Sequence, residues 1–181
     1  MSSENLWAPW RMQYLSKLDP EKGIDEQGDK PSCFICDATG YQADSKEGND
    51  RLVLLNDDRG IIMLNRFPYS NGHLLIAAKD HIGDLTELSR EQRNHLMHLT
   101  ALAEDTIKLA YNPQGFNVGI NIGRSAGAGL PGHLHVHVMP RWAGDTNFIT
   151  TIGNVRVLPQ ALEESYKLLV DAISKVRGNY D

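Results

Sequence analysis

The stretch His133-Leu134-His135-Val136-His137-Val138-Met139 alternates imidazole and apolar side chains with a period of two. Successive side chains of a β-strand point to opposite faces, so this stretch predicts a strand with three imidazoles on one face and aliphatic side chains on the other. A solvated polar strand face is the competing interpretation. Three histidines within five positions, directly after a glycine-rich loop, favour a functional site.

Three neighbouring imidazoles suit chemistry at phosphorus. A neutral imidazole can attack phosphorus to give a phosphoramidate, which water or another acceptor then resolves. Its neighbours can donate hydrogen bonds to phosphate oxygens and to the departing polyphosphate, where negative charge accumulates. The central residue, His135, is therefore the expected nucleophile. A zinc hydrolase that uses His133, His135 and His137 as metal ligands is the alternative.

The loop at 123–132, Gly-Arg-Ser-Ala-Gly-Ala-Gly-Leu-Pro-Gly, lies directly upstream of the histidines. Its small side chains would let backbone N–H groups approach phosphate oxygens closely. An alternating run over 115–121 precedes the loop and predicts a strand. Three further apolar runs also predict strands, at 51–56, 61–65 and 72–78.

Two helices are predicted from apolar residues that recur at helical spacing. The longer one begins after Ser89, whose separation from Gln92 is that of a capping box, and the second covers 159–176. On the first helix, His95 and His98 fall on the polar side and are interpreted as solvated. Because strands cluster before and after one long helix, the fold class is α+β with a mostly antiparallel sheet.

The composition is that of an ordinary globular protein. The 181 residues are 41% hydrophobic and 23% charged, enough for one domain with its own core. A formal net charge of −5 disfavours electrostatic attachment to nucleic acid or anionic lipid. The opening MSSENLWAPWRM lacks a basic start followed by an apolar run, and no stretch approaches the roughly 20 apolar residues of a membrane helix, so we expect a cytoplasmic protein.

The two cysteines, Cys33 and Cys36, have the spacing of a zinc ligand pair. They supply only half of a tetrahedral site, so two further ligands would have to come from elsewhere, and seven histidines are available. A redox pair or two spare thiols are the alternatives, but the preceding Gly-Asp-Lys-Pro-Ser does not suggest the strand-to-helix junction that a redox motif occupies. Zinc is the favoured interpretation.

With these residues assembled, the chain resembles the histidine triad (HIT) family, whose signature is the pattern of 133–139. The resemblance extends to LNRFPYSNGHLLIA at 64–77, GFNVGINIGRSAGAG at 115–129 and PRWAGDTNFIT at 140–150. Together with LWAPWRMQYL at 6–15, the last segment resembles a bacterial branch that acts on diadenosine tetraphosphate as a phosphorylase or hydrolase. The resemblance implies a five-stranded antiparallel sheet with two main helices, paired as a homodimer.

The same resemblance implies roles for individual residues. The middle histidine, His135, is the nucleophile of this family, and His137 contacts the phosphates. One asparagine would hold the ribose, another would lie near the phosphates, and three small residues would line the phosphate loop; these are Asn65, Asn121, and Gly127, Ala128 and Gly129.

Family members with an early Cys-x-x-Cys bind structural zinc through the two cysteines, a histidine after the early strands and the first triad histidine. In this chain those residues are Cys33, Cys36, His81 and His133. A metal-bound His133 could not also donate a proton from that nitrogen, which would leave His137 as the main helper. Two departures from the family pattern are Gly132, where an acidic residue is common, and Ala78, in place of a proline.

The resemblance also implies a division of the chain: an N-terminal extension at 1–32, the HIT domain at 33–150, and a C-terminal strand and helix at 151–181 that complete the domain or dimer.

The expected partner is a nucleoside polyphosphate, with no membrane and no nucleic acid. The same residues would serve a nucleoside phosphoramidase or a general nucleotide hydrolase. A nucleotide-binding protein without catalysis is the other alternative.

Overall fold

Five antiparallel strands form a single sheet. This computed structural model describes residues 33–145 and 160–180. Within those ranges, no helix is both long enough and apolar enough to cross a bilayer. The strands are β1 Val53–Asn56, β2 Gly60–Leu64, β3 Leu74–Ala78, β4 Gly115–Ile120 and β5 His135–Arg141. Their order in the sheet is β1-β2-β3-β5-β4. The sheet confirms the predicted fold class.

Two long and two short α-helices accompany the sheet in the described part of the chain. The long ones match the two predicted helices, although the second begins at Leu162 and position 159 lies outside the described residues. The short ones were not predicted, because five residues show too little periodicity to read. The helices are α1 Phe34–Ala38, α2 Lys46–Asp50, α3 Arg90–Tyr111 and α4 Leu162–Val176.

The ends of α3 follow local signals in the sequence. Ser89 accepts a hydrogen bond from the Gln92 N–H at 3.1 Å, and the Gln92 side chain accepts one from the Ser89 N–H at 2.7 Å. This capping box satisfies two donors at the helix start. At the other end, Asn112 adopts a left-handed conformation with φ of 46° and terminates the helix.

The two faces of the sheet have different neighbours. Leu74, Ile76 and Ala78 of β3 point to one face, where they pack in the main core with side chains of α3 and α4. Leu75 and Ala77 alternate with them and point to the other face, where they join a smaller core with the short α1. The candidate site lies on this second face, and the long helices cover the opposite face of the sheet.

A buried histidine attaches α3 to the turn between β1 and β2. His95 Nε2 donates to Asp57 Oδ2 at 2.9 Å, and Asp57 Oδ1 accepts the N–H groups of Arg59 and Gly60. His95 is only 9% exposed, so its interpretation as a solvated residue was wrong, whereas His98 is exposed. The sequence pattern did not show that the turn carries a carboxylate that faces the helix.

The described residues belong to one compact unit that begins at Cys33. Helix α4 contributes Tyr166, Leu169 and Ile173 to the same core as the strands. The predicted N-terminal extension at 1–32 and the predicted junction at 150–151 lie outside the described residues.

Candidate active site

His135 and His137 stand side by side on the face of the sheet that points away from α3 and α4. In the register of the sheet, His135 is opposite Ala77 and His137 is opposite Leu75, and both partners belong to the smaller core away from α3 and α4. The two ring centroids are 4.9 Å apart, with the planes at 67°. These two residues therefore form the pair that the alternating pattern predicted.

His133 lies apart from the ring pair and has different partners. Strand β5 begins at His135, so His133 lies two residues before the strand, while Leu134, Val136 and Val138 share the main core as the alternation predicts. The chain pairs differently there, because the Leu134 N–H donates to the Ile82 carbonyl at 2.7 Å. The Nδ1 atom of His133 faces two cysteines and its Nε2 donates to the Ala78 carbonyl at 2.9 Å. With both nitrogens engaged there, the three-histidine metal site is not formed.

A backbone carbonyl fixes the tautomer of His135. Its Nδ1 lies 2.8 Å from the His133 carbonyl oxygen. A carbonyl only accepts hydrogen bonds, so Nδ1 carries the hydrogen and the ring lone pair resides on Nε2. His135 is 6% exposed, so protein encloses most of the ring. The arrangement leaves the lone pair of a mostly buried ring on Nε2.

A chain of hydrogen bonds places the hydrogen of His137 on Nε2, whereas that of His135 is on Nδ1. The Tyr69 N–H donates to His73 Nδ1 at 3.2 Å, so the hydrogen of His73 resides on Nε2. His73 Nε2 then donates to His137 Nδ1 at 2.9 Å. His137 is left with its hydrogen on Nε2 and presents a donor, while His135 presents an acceptor. Burial, and secondarily the nearby His135, lower the pKa of His137 to about 4, so the ring is neutral at neutral pH.

His73 is a site residue that the pattern analysis missed. It is 0% exposed and directly precedes β3, next to the apolar run at 74–78. A histidine in front of a fully buried strand is itself a signal, because a buried imidazole needs hydrogen-bond partners. The run was interpreted only as a strand.

Two asparagines expected to contact substrate lie beside the ring pair. Asn65 follows β2, and its Nδ2 atom is 3.3 Å from His73 Nδ1. Asn121 directly follows β4, whose last paired residue, Ile120, is opposite Val136. Between them, Gly119 is opposite His137, and a Cβ added to Gly119 would meet nothing within 4 Å. The open space beside His137 could therefore admit a substrate group.

The glycine-rich loop joins β4 to β5 and is partly closed on itself. The Gly127 N–H donates to the Arg124 carbonyl at 2.9 Å, and the Ala128 N–H donates to the Gly123 carbonyl at 3.3 Å. These two groups would have to leave their carbonyls to bind phosphate. A Cβ added to Gly129 would meet no atom within 4 Å, so this end of the loop is open.

The four predicted metal ligands meet at one point, which we call the metal cluster: Cys33, Cys36, His81 and His133. Their ligand atoms all lie within 4.8 Å of one another. His133 Nδ1 is 3.2 Å from Cys33 Sγ and 3.3 Å from Cys36 Sγ, and His81 Nδ1 is 3.2 Å from Cys36 Sγ. Ligand atoms around a tetrahedral zinc ion lie roughly 3.3–3.8 Å apart, so the geometry and the donor set both fit zinc.

The surroundings of the metal cluster also suit a metal ion. Because His133 Nε2 donates to the Ala78 carbonyl, its Nδ1 lone pair is free to coordinate. Without a cation, burial and then the adjacent Cys33 raise the pKa of Cys36 to about 11. A coordinated metal favours the thiolate form and reverses that effect.

The two departures from the family pattern both contact the metal cluster. A Cβ added to Gly132 would lie 3.0 Å from His81 Nε2, so the glycine leaves room for that ring. Ala78 contributes the carbonyl that accepts from His133 Nε2. Both positions therefore bear on the orientation of a ligand.

Comparisons with known proteins agree with this geometry. The HIT domain family model matches residues 46–144. AP-4-A phosphorylase of Mycobacterium tuberculosis is 39% identical over 166 residues, which cover 92% of this chain and 82% of that protein. The crystal structure of a Zn-bound histidine triad family protein from Mycobacterium smegmatis aligns with a TM-score of 0.64 at 26% identity, over 82% of this chain and 97% of that one. A hypothetical histidine triad nucleotide-binding protein from Sulfolobus tokodaii aligns with a TM-score of 0.59 at 28% identity, over 70% and 85% of the two chains. This chain belongs to the HIT family.

Proposed function

We propose that this enzyme transfers a nucleotidyl group from dinucleoside polyphosphates such as diadenosine tetraphosphate, through a covalent intermediate on His135. The observation that carries the proposal is the 2.8 Å hydrogen bond from His135 Nδ1 to the His133 carbonyl, which leaves a lone pair on Nε2. The 39% identity to AP-4-A phosphorylase supports the substrate class. We place the reaction in the cytoplasm, without nucleic acid or membrane as partner.

In the first step, His135 Nε2 attacks the α-phosphorus. A P–N bond forms while the bond from phosphorus to the bridging oxygen breaks, and the electron pair of that bond leaves with the polyphosphate oxygen. The ring becomes cationic as its lone pair is used, and the His133 carbonyl stabilises this charge through the Nδ1 hydrogen. Water or inorganic phosphate then attacks phosphorus, the P–N electrons return to Nε2, and the proton of an attacking water leaves to solvent.

His137 is the expected donor in both steps. Its Nε2 hydrogen can bond to a nonbridging phosphate oxygen, or to the oxygen on which charge develops. The hydrogen bond from His73 keeps that hydrogen in place. The ring gives a hydrogen bond without adding a full positive charge, because burial holds its pKa at about 4.

The remaining predicted contacts are part of the same proposal. Asn65 would bind ribose, because its side chain lies beside His73, the hydrogen-bond partner of His137. Asn121 would lie near the phosphates, because it directly follows the β4 residue that is opposite Val136. Open space at Gly119 and Gly129 leaves room for substrate. The phosphate loop would consist of Gly127, Ala128 and Gly129.

We also propose that the metal cluster binds structural zinc. When bound, the ion would supply a fixed cross-link among Cys33, Cys36, His81 and His133 rather than a reacting group. The exposed ring of His81 and the buried ring of His133 would be tied to the start of α1.

One experiment tests the reaction and identifies the acceptor. The purified protein is incubated with diadenosine tetraphosphate, with and without inorganic phosphate, and the nucleotides are separated. ATP with AMP identifies hydrolysis, and ATP with ADP only when phosphate is present identifies phosphorolysis. Tight binding with no product under either condition would contradict the enzyme and favour a binding protein.

A labelling experiment tests the nucleophile. Substrate radiolabelled at the α-phosphorus should leave label on the protein after rapid denaturation in alkali, which preserves a P–N bond. We expect His135→Asn to lose both label and turnover. His98→Asn is the matched control, because His98 is exposed on α3, on the helix side of the sheet. Turnover retained by His135→Asn would exclude His135 as the nucleophile.

We further propose a homodimer that forms through β4. Among the described strands, β4 lies at one end of the sheet order and its Val118 is 48% exposed. A second copy pairing there would extend the sheet and cover the unpaired backbone groups.

We expect Val118→Arg to shift the molar mass in light scattering from dimer to monomer, while Met97→Arg on α3 does not. A monomeric wild-type protein would contradict the proposal.

A further inference from the structure

One residue connects the metal cluster to the proposed nucleophile. The His133 side chain belongs to the cluster, with Nδ1 at 3.2 Å from Cys33 Sγ and 3.3 Å from Cys36 Sγ. The His133 main-chain carbonyl accepts the Nδ1 hydrogen of His135 at 2.8 Å. The two sites therefore share a single residue, through different groups.

We propose that the metal cluster sets the tautomer of His135 through His133, so that losing the metal slows the chemical step and leaves substrate binding intact. The inference rests on the proposed function of His135, but it concerns a separate property, namely the position of one ring hydrogen. His133 is a positioning residue in this scheme, since it acts on the reaction through His135.

The geometry around His133 explains why its side chain can control its carbonyl. The residue is 1% exposed, and its ring is held at both nitrogens, by the thiols on one side and the Ala78 carbonyl on the other. A ring anchored at two points restricts the backbone torsions of the residue that carries it. The orientation of the carbonyl toward His135 is therefore tied to the position of the ring.

The consequence for His135 follows from imidazole chemistry. A neutral imidazole has two tautomers, and only the form with hydrogen on Nδ1 has its lone pair on Nε2. If the His133 carbonyl turns away, His135 loses the acceptor that selects this form. The fraction of molecules with a reactive Nε2 then falls, whereas the asparagines expected to bind substrate are not changed directly.

The test reads the tautomer directly by NMR. Protein with ¹⁵N-labelled histidine is compared before and after zinc removal by a chelator, with metal content measured in each sample. The ring nitrogen shifts of His135, assigned with His135→Asn, should report hydrogen on Nδ1 in the loaded protein and a mixture after removal. Unchanged shifts in protein shown to be metal-free would overturn the inference, whether or not the wild type turns over substrate.

Variants of the exposed ligand give an independent test. His81→Ala should lower zinc content, give the mixed tautomer and reduce the single-turnover rate by about 10- to 100-fold with KM unchanged. His81→Cys keeps a zinc ligand and should restore content, tautomer and rate together, which a general loss of stability would not explain. His98→Ala is the control for loss of a histidine on the other face. Low zinc content in His81→Ala with a wild-type tautomer and rate would also overturn the inference.

Discussion

His135 and His137 have complementary hydrogen positions, although both are neighbouring histidines on one strand. The difference comes from their partners: His135 Nδ1 donates to a carbonyl, whereas His137 Nδ1 accepts from His73. A nucleophile needs a lone pair, and the atoms on which charge accumulates need a donor. The hydrogen-bond partners of the two rings therefore suit the two roles that we propose for them, nucleophile and donor.

Removing the donor behind His137 should slow catalysis more than it weakens binding. In His73→Ala, no group would hold the hydrogen of His137 on Nε2, and we expect kcat to fall by about 100-fold. His73→Gln is the matched variant, because its amide can still donate to His137 Nδ1 and should recover part of the loss. Steady-state kinetics with diadenosine tetraphosphate would measure both. Equal kcat values for His73→Ala and wild type would contradict this role.

The low pKa of His137 should appear in the pH dependence of stability. The ordinary pKa is 6.5 and the folded value is about 4, so the unfolded chain binds more protons than the folded chain between these values. The contribution of His137 to the free energy of unfolding is therefore complete above pH 6.5 and is lost as the pH falls toward 4. Urea denaturation across this range should show a shallower decline for His137→Asn. Parallel curves for the two proteins would contradict the lowered pKa.

Sequence periodicity could predict the pair on β5 but not the partners of His133. The alternation at 133–137 indicates which side chains share a face, but it does not show that the His133 ring contacts Cys33 and Cys36. His73 was missed because its partner, His137, is 64 positions away. Such long-range contacts leave no periodic signal, whereas the resemblance to a family correctly grouped Cys33 with distant histidines.

At the level of elements, the long helix α3 depends on local chemistry at its start. Ser89→Ala removes the acceptor for the Gln92 N–H, and we expect the free energy of unfolding to fall by about 1 kcal/mol. Ser174→Ala in α4, another exposed serine with only a local hydrogen bond, is the control. Urea denaturation measures both variants. A loss in Ser174→Ala as large as that in Ser89→Ala would contradict the capping argument.

The elements that sequence predicted well are those with strong periodicity or clear end signals. Helix α3 runs over 22 residues between a capping box and a left-handed asparagine, so its bounds were predictable. The short helices α1 and α2 have only five residues each and were not predicted. The tie between His95 and Asp57 was also missed, because it joins two elements 38 residues apart.

At the level of the whole molecule, the metal cluster joins three separate segments. Cys33 and Cys36 lie at the start of the described chain, His81 follows β3, and His133 precedes β5. A metal that binds only the folded state stabilises it by about 2.7 kcal/mol when its free concentration is 100 times Kd. We expect a chelator to lower the midpoint of thermal unfolding of the wild type.

The double variant Cys33→Ser/Cys36→Ser is the control for that effect. It lacks both thiolates, so its unfolding midpoint should be lower than that of the zinc-loaded wild type and insensitive to the chelator. Differential scanning calorimetry of both proteins, with and without chelator, gives the four values needed. A wild-type midpoint that does not respond to complete metal removal would argue against a structural metal.

The alternation along β3 has a practical consequence for engineering. Leu74, Ile76 and Ala78 face the long helices. Leu75 and Ala77 lie on the other face, where they are opposite His137 and His135 in the register of the sheet. Substitutions that improve thermal tolerance can thus be sought among the helix-facing positions while the catalytic surface keeps its shape. A library confined to the helix-facing positions should yield proteins with a higher midpoint of thermal unfolding and unchanged turnover.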